Sequence, residues 1–135
     1  MFAMQPFLED AQQRQLTIGE LYVHVIEARG LKASDLNGRS DPYCRLQLTG
    51  RFLSHGQEWP KEHRCGGVTD VCIRTLSPRW DEEFRFPVWR AGAVLRIWVW
   101  DWDRTSDDDL LGVLDIPLRG ELMGQKVVDR WYAVK

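Results

Sequence analysis

The segment from residue 101 to residue 109, DWDRTSDDD, places five carboxylates within nine residues, between two strongly apolar runs. A second acidic pair, Asp35 and Asp41, brackets a turn that contains Gly38, about sixty residues earlier in the chain. Carboxylates crowded in this way repel one another unless a cation lies among them. Ca2+ takes six to eight hard oxygen ligands from flexible loops, at roughly 2.4 Å. The residue types and their spacing therefore predict a calcium site built from two distant loops.

An EF-hand is the first alternative for such a loop, because Asp101, Asp103 and Thr105 fall at its positions 1, 3 and 5. The match fails at position 6, where Ser106 replaces glycine, and at position 12, where Gly112 replaces glutamate. The flanking runs also have the pattern of strands rather than helices. The remaining alternative is an acidic hairpin tip exposed to solvent, and the second acidic pair counts against it.

Length and composition place the chain among globular domains. Its 135 residues, 44% of them hydrophobic and seven of them tryptophan, suffice for one domain with a substantial core. No run approaches the ~20 apolar residues of a membrane span, and the N-terminus lacks the pattern of a signal peptide. Phe2 excludes N-myristoylation. The net charge is −2, but the two acidic loops hold seven of the 20 acidic residues, so 13 acidic residues lie elsewhere, against 18 basic residues in the whole chain.

The cysteines are too few for a disulfide framework. Cys44, Cys65 and Cys72 are odd in number, which favours a reducing, cytosolic setting. Cys65 and Cys72, with His55 and His63, form a loose group of metal-ligating residue types. Their spacing matches no common zinc pattern, so incidental residues in a loop are the favoured interpretation.

Alternating apolar and polar residues predict seven strands and no long helix. The predicted strands lie near residues 21–26, 42–48, 68–74, 84–88, 93–100, 110–118 and 127–134. A long insert rich in glycine covers residues 49–67, and residues 1–17 form a flexible arm or an extra strand ahead of a domain at 18–135. The predicted fold is an all-β antiparallel sandwich, in which each of the two acidic loops follows a rigid strand.

Three separated motifs resemble the C2 domain family of calcium-dependent phospholipid-binding sandwiches, over roughly residues 19–135. They are residues 35–43 (DLNGRSDPY), 75–84 (TLSPRWDEEF) and 100–112 (WDWDRTSDDDLLG). The third is most similar to the loop of conventional protein kinase C and synaptotagmin C2 domains. The resemblance implies an eight-stranded sandwich, one strand more than the seven predicted. The eighth would come from residues 1–17 or from sequence beyond Lys135, as in a fragment of a larger protein.

The resemblance also implies a set of site residues. Calcium ligands would be the five family aspartates, the Ser106 hydroxyl and two backbone carbonyls: Asp35, Asp41, Asp101, Asp103, Asp109, Ser106, Leu36 and Trp102. Contacts to the membrane would come from loop tips: Leu36, Asn37, Arg104 and Thr105. Asp107 and Asp108 lie outside the family's ligand set and are interpreted as charge near the site or as solvated residues.

The function implied is calcium-dependent binding of anionic phospholipid, with phosphatidylserine as the expected lipid. The module would be cytoplasmic and would reach membranes peripherally when calcium rises. The lysine-rich strand of phosphoinositide-binding relatives is weak, with Arg45 and Gln47 in one strand and Asp70 in its neighbour. The alternative is a calcium-independent protein-interaction module of the same fold. No catalytic motif is present, so no enzyme and no nucleic-acid partner are expected.

Overall fold

The computed structural model describes residues 19–33, 39–50, 65–89, 92–118 and 128–135. Within them lie six strands and no helix. The strands are β1 (Gly19–Glu27), β2 (Pro42–Gly50), β3 (Cys65–Val68), β4 (Arg79–Val88), β5 (Ala93–Asp101) and β6 (Asp109–Pro117). They form a two-stranded sheet, β1-β4, and a four-stranded sheet, β3-β2-β5-β6, in which every pair is antiparallel. The predicted all-β fold is confirmed.

The four-stranded sheet supplies most of the core because its strands alternate between apolar and polar residues. Along β2 and β5 every second side chain points inward, and the buried members are Cys44, Leu46, Leu48, Ala93, Leu95 and Val99. Their neighbours, such as Arg45 and Arg96, lie on the outer face and are exposed. Leu46 and Leu48 are 1% and 0% exposed, so the centre of β2 is the most deeply buried part of the sheet.

The two-stranded sheet faces the core from the other side. Trp80, Phe86 and Val88 of β4 belong to the buried cluster, and Leu21, Val23 and Val25 of β1 pack against it. The ladder between β1 and β4 contains a bulge. Val25 pairs with Glu82 and Glu27 pairs with Arg79, so β4 has one residue more than β1 between these pairs. Asp81 lies at this bulge with a φ of 51°, which is the left-handed conformation common in bulged strands.

Two contacts join the sheets directly. The indole nitrogen of Trp80 donates a hydrogen bond to the carbonyl of Pro42, at 3.2 Å, so the start of β4 is fixed to the start of β2. Gly67 of β3 faces the ring of Phe84, and a β-carbon at that position would lie 2.6 Å from the ring. Phe84 is stacked on Phe86, with ring centroids 6.3 Å apart. The sheets therefore approach at Gly67 more closely than any side chain would permit.

Two of the seven predicted strands are wrong, one in its bounds and one in being a strand at all. The predicted strand at 68–74 ends at Val68, because the Thr69 hydroxyl takes the amide of Cys44 that a continuing ladder would use. Residues 65–67, predicted as part of a long insert, belong to β3 instead. The last predicted strand, at 127–134, is not a strand in the described residues 128–135, although Lys135 exchanges two backbone hydrogen bonds with Val113 of β6. Residues 1–17 and 51–64 lie outside the described residues.

No helix in the described part of the chain is long and apolar enough to span a membrane.

The close approach at Gly67 leads to a prediction about stability. Gly67→Ala should lower the free energy of unfolding by about 1–3 kcal/mol, because the added methyl group overpacks the space held by Phe84. Urea denaturation with tryptophan fluorescence measures the change. Gly19→Ala is the matched control, since no atom lies within 4 Å of a β-carbon there. Equal stability of the two variants would mean that the sheets are not packed at Gly67.

Candidate calcium site

Aspartates at the ends of three neighbouring strands lie at one end of the four-stranded sheet. Asp101 at the end of β5 pairs with Pro42 at the start of β2 and with Asp109 at the start of β6. Directly opposed residues of antiparallel strands have their β-carbons about 4.5–5.5 Å apart and on the same face. Asp101 and Asp109 are thus cross-strand neighbours, and Asp41 adjoins Asp101 through Pro42. The register brings together aspartates that are far apart in sequence.

Asp101 is the buried member of this group. It continues the inward-facing row of Leu95 and Val99, and it is 7% exposed. Its Oδ1 accepts a hydrogen bond from the backbone amide of Asp41 at 2.8 Å. In return, the amide of Trp102 donates to the carbonyl of Asp41 at 2.9 Å. These two hydrogen bonds fix the chain on either side of the candidate site, so that the β1–β2 and β5–β6 connections meet at a defined point.

The connection between β3 and β4 reaches the same point. The backbone amide of Arg74 donates to Asp41 Oδ1 at 2.6 Å, and the amide of Thr75 donates to the carbonyl of Ser40 at 2.8 Å. Arg74 has a φ of 51°, a conformation that a residue with a β-carbon adopts at some energetic cost. This strained turn directs its N–H towards Asp41. It also leaves the side chain of Ile73 61% exposed.

Asp103 organises its own loop. Its Oδ1 accepts hydrogen bonds from the amides of Thr105 and Ser106, at 2.9 Å and 3.3 Å, and its Oδ2 accepts one from the Ser106 hydroxyl at 2.7 Å. Hydrogen bonds from Thr105 and Ser106 favour the ionised carboxylate and hold the pKa of Asp103 below its ordinary value. A side chain that stays ionised near other carboxylates is suited to binding a cation.

Asp108 links the same loop to β2. Its Oδ2 accepts a hydrogen bond from the Tyr43 hydroxyl at 2.5 Å, and its Oδ1 accepts one from the backbone amide of Asp103 at 2.8 Å. Burial, together with the hydrogen bond and the charge of Asp108, raises the pKa of Tyr43 to about 12. The phenol therefore stays neutral and acts as a donor at physiological pH. The neighbouring Asp107 is exposed.

The predicted site residues divide into two groups. Asp41, Asp101, Trp102, Asp103, Ser106 and Asp109 lie at one end of the four-stranded sheet, with Arg104 and Thr105 exposed on the loop beside them. Asp35, Leu36 and Asn37 lie outside the described residues. For the zinc alternative, His55 and His63 also lie outside the described residues, and burial raises the pKa of the Cys65 and Cys72 thiols. A thiol that resists ionisation is a poor zinc ligand.

The oxygen atoms available as metal ligands at this end of the sheet are of the chemical type that calcium binds. Four carboxylates, the Ser106 hydroxyl and the backbone carbonyls of the loop are all hard oxygen ligands, as Ca2+ requires. Among the residues that the structure describes, no three acidic, histidine or cysteine side chains converge closely enough to enclose an ion. Instead, Asp41, Asp101 and Asp103 each accept hydrogen bonds from backbone amides.

Sequence reasoning missed two contributors. Arg74 falls in the predicted strand at 68–74, so the sequence does not predict the contact of its amide with Asp41. Pro78, four residues later, is a signal of a turn in this region. The hydrogen bond of Asp108 to Tyr43 has no signal in the spacing of the acidic loop. It depends on a pairing of strands that brings together residues 65 positions apart.

The family model described as "C2 domain" matches residues 19–134, which include all six strands. The chain belongs to the C2 domain family.

Relatives with long chains contain similar segments. This C2 domain is 40% identical over 101 residues to Tricalbin-1 of Saccharomyces cerevisiae, covering 74% of this chain and 8% of that protein. It is 37% identical over 103 residues to Synaptotagmin-3 of Arabidopsis thaliana, covering 76% of this chain and 17% of that protein. The chain therefore spans less than a fifth of the length of either relative.

Solved structures agree on the fold. A C2 domain of a plant extended synaptotagmin 1 superposes with a TM-score of 0.61 at 28% identity, covering 76% of this chain and 70% of that one. A C2 domain of the RIM protein from Drosophila gives a TM-score of 0.63 at 22% identity, covering 91% and 90%. The second likeness is one of fold alone.

The hydrogen bonds of Asp103 lead to a prediction about its titration. Ser106→Ala removes one donor, so the pKa of Asp103 should rise towards its ordinary value of 3.8. Carboxyl carbon shifts in an NMR pH titration measure it, with Ser77→Ala as a control in another loop. Because the folded-state pKa is lowered, the stabilisation from ionised Asp103 is present above the unfolded-state pKa and is lost as pH falls through the folded value. An unmoved Asp103 titration in Ser106→Ala would contradict the assignment.

Proposed function

We propose that this C2 domain binds Ca2+ through Asp41, Asp101, Asp103 and Asp109, together with Asp35, and thereby attaches to anionic phospholipid membranes. The observation that carries the proposal is the register that aligns Asp101 with Pro42 and Asp109. It gathers hard oxygen donors from separate loops at one end of a rigid sheet. The Ser106 hydroxyl and the carbonyls of Leu36 and Trp102 complete the proposed ligand set, from the family resemblance.

Electrostatics supports the membrane as the target. Outside the two acidic loops, residues 35–41 and 101–109, the chain has 16 basic and 13 acidic residues, so the acidic end is the part that anionic lipid would repel. Bound Ca2+ supplies positive charge there and open coordination positions for lipid phosphate or carboxylate oxygens. The affinities for calcium and for lipid are then thermodynamically coupled, and each ligand strengthens the binding of the other.

Exposed side chains around the site suit an interfacial position. Ile73 is 61% exposed next to Arg74, whose amide contacts Asp41. Trp102 is 39% exposed next to Asp103, and Arg104 is exposed on the same loop. Tryptophan and arginine are common at the boundary between headgroups and hydrocarbon, and each basic residue near an anionic surface contributes about 1 kcal/mol. Leu36, Asn37 and Thr105 are proposed lipid contacts from the resemblance, with phosphatidylserine as the lipid.

The proposed role is that of a peripheral binding module in the cytoplasm, recruited when calcium rises, with no catalytic activity in these residues. One observation favours the alternative of a calcium-independent protein-interaction module. Asp41 and Asp103 are already satisfied by donors of the protein, from Arg74, Thr105 and Ser106. In such a module these hydrogen bonds would be the permanent state of the loop. Calcium titration separates the two roles.

Calcium should raise the melting temperature, because it binds the folded site and relieves the repulsion between carboxylates. At a concentration one hundred times the Kd the gain is about 2.7 kcal/mol. Asp41→Asn and Asp103→Asn should each remove most of the shift, whereas Asp107→Asn, an exposed position of the same loop, should retain it. Differential scanning calorimetry and isothermal titration measure both effects. An unchanged melting temperature and no binding heat in millimolar Ca2+ would favour the calcium-independent alternative.

Membrane contact should depend on the exposed apolar side chain at residue 73. Ile73→Ala should weaken binding to calcium-loaded phosphatidylserine vesicles by roughly three- to tenfold, because it removes part of a burial free energy of about 1.5–3 kcal/mol. Its calcium affinity in solution should be unchanged. Val68→Ala, at a 53% exposed position on the outer face of the four-stranded sheet, is the matched control.

The same vesicle assay checks the electrostatic part of the proposal. Binding should require both Ca2+ and anionic lipid and should weaken with added salt. Equal affinity for purely zwitterionic vesicles would show that charge is not the driving force. Equal loss in Ile73→Ala and Val68→Ala would show that residue 73 has no special contact with lipid.

A further inference from the structure

Asp108 differs from the other carboxylates of the acidic loop in what it contacts. Both of its oxygens accept hydrogen bonds from groups on opposite sides, the Tyr43 hydroxyl at 2.5 Å and the Asp103 amide at 2.8 Å. It is half-buried, whereas its neighbours Asp107 and Asp109 are exposed. A carboxylate with one donor on each oxygen is held in a single orientation. Asp108 is therefore a fixed part of the loop rather than a solvated charge.

Tyr43 provides the rigid end of this connection. It lies in β2, one residue after Pro42, and its cross-strand partner in β5 is Trp100. The backbone of Tyr43 is thus held within the four-stranded sheet, next to the pair formed by Pro42 and Asp101. Its hydroxyl group donates to Asp108, so this hydrogen bond connects the four-stranded sheet to the β5–β6 connection.

The other end of the connection holds Asp103. The Asp103 amide donates to Asp108, while the preceding amide, that of Trp102, donates to the carbonyl of Asp41. Two successive peptide groups are therefore anchored, one to the residue before β2 and one through Asp108 and Tyr43. The direction in which the Asp103 carboxylate leaves the chain follows from these two anchors.

We propose that Asp108 is a positioning residue of the calcium loop: held by the Tyr43 hydroxyl, it fixes the backbone of Asp103 for ion binding without joining the ligand set. The inference rests on the proposed calcium function and assigns a role to a residue outside the family's ligand positions. Preorganisation of this kind increases affinity because the loop loses less conformational freedom when the ion binds. Partners of metal ligands typically contribute about 10- to 100-fold in metal affinity.

Three substitutions separate positioning from charge and from direct coordination. Asp108→Ala removes both hydrogen bonds and should weaken calcium affinity by about 10- to 100-fold. Asp108→Asn removes the charge but keeps the shape: its oxygen can accept from the Asp103 amide and its amide can donate to the Tyr43 oxygen. It should therefore restore most of the affinity. Tyr43→Phe keeps the ring and removes the donor, so a loss between those of the other two variants is expected.

Asp107→Ala and Asp107→Asn are the matched controls, because they remove the same charge at the adjacent exposed position. Isothermal titration with Ca2+ measures all five variants, after circular dichroism has shown that each is folded. Equal losses in Asp108→Ala and Asp107→Ala would overturn the proposal in favour of a general charge effect. An Asp108→Asn variant as weak as Asp108→Ala would overturn it in favour of direct coordination. Should Asp108→Ala fail to fold, the comparison of Asp108→Asn and Tyr43→Phe with wild type and Asp107→Asn decides the matter.

A second measurement does not depend on calcium. Hydrogen exchange of the Asp103 amide, followed by NMR without Ca2+, should be slow in the wild type and in Asp108→Asn, and faster in Asp108→Ala and Tyr43→Phe. Slow exchange in the wild type combined with no calcium binding would mean that the calcium function fails while the connection to Tyr43 exists. Fast exchange in the wild type would mean that the connection itself is absent, whatever the calcium result.

Discussion

The register of β2, β5 and β6, which carries aspartates to one end of the sheet, is the constraint on which the rest of this domain depends. It aligns Asp101 with Asp109 and with Pro42, the residue after Asp41, and backbone N–H groups bind several of the carboxylates at this end. Amides of Asp41, Arg74, Asp103, Thr105 and Ser106 all donate to carboxylates of this cluster and of Asp108. Each such charge-assisted hydrogen bond is stronger than one between neutral groups. The loops owe their shape to these donors.

The core and the acidic cluster depend on each other through β5. The row of inward-facing residues that fills the sandwich, Leu95 and Val99, ends in Asp101, the one charged member. A buried carboxylate is costly unless its oxygens are hydrogen-bonded, and the amide of Asp41 supplies such a bond. Leu95 and Val99 belong to the same buried cluster as Trp80 and Phe86 of β4, so the row that carries Asp101 is part of the core.

The sequence predicted those features that repeat locally or match a motif. Alternation in 93–100 identified β5 correctly on both faces, and the three motifs identified the C2 family. The end of β3 at Val68 could not be predicted, because it depends on the Thr69 hydroxyl, which replaces a backbone carbonyl as the acceptor for the Cys44 amide. The contacts of Arg74 with Asp41 and of Asp108 with Tyr43 could not be predicted either, because each joins residues more than thirty positions apart. Non-local pairing leaves no period in the sequence.

The contact of Arg74 with Asp41 involves the peptide N–H alone. It therefore has a consequence for which residues can replace Arg74. A main-chain donor persists when the side chain is replaced, provided that the new residue tolerates a φ of 51°. Asn, Asp and Gly tolerate it well, whereas β-branched residues do not. The side chain at position 74 can therefore change in charge and size while the donor to Asp41 stays in place. The hydrogen bond to Asp41 and the surface side chain at position 74 can therefore vary independently in sequence, although both belong to the same residue of the β3–β4 turn.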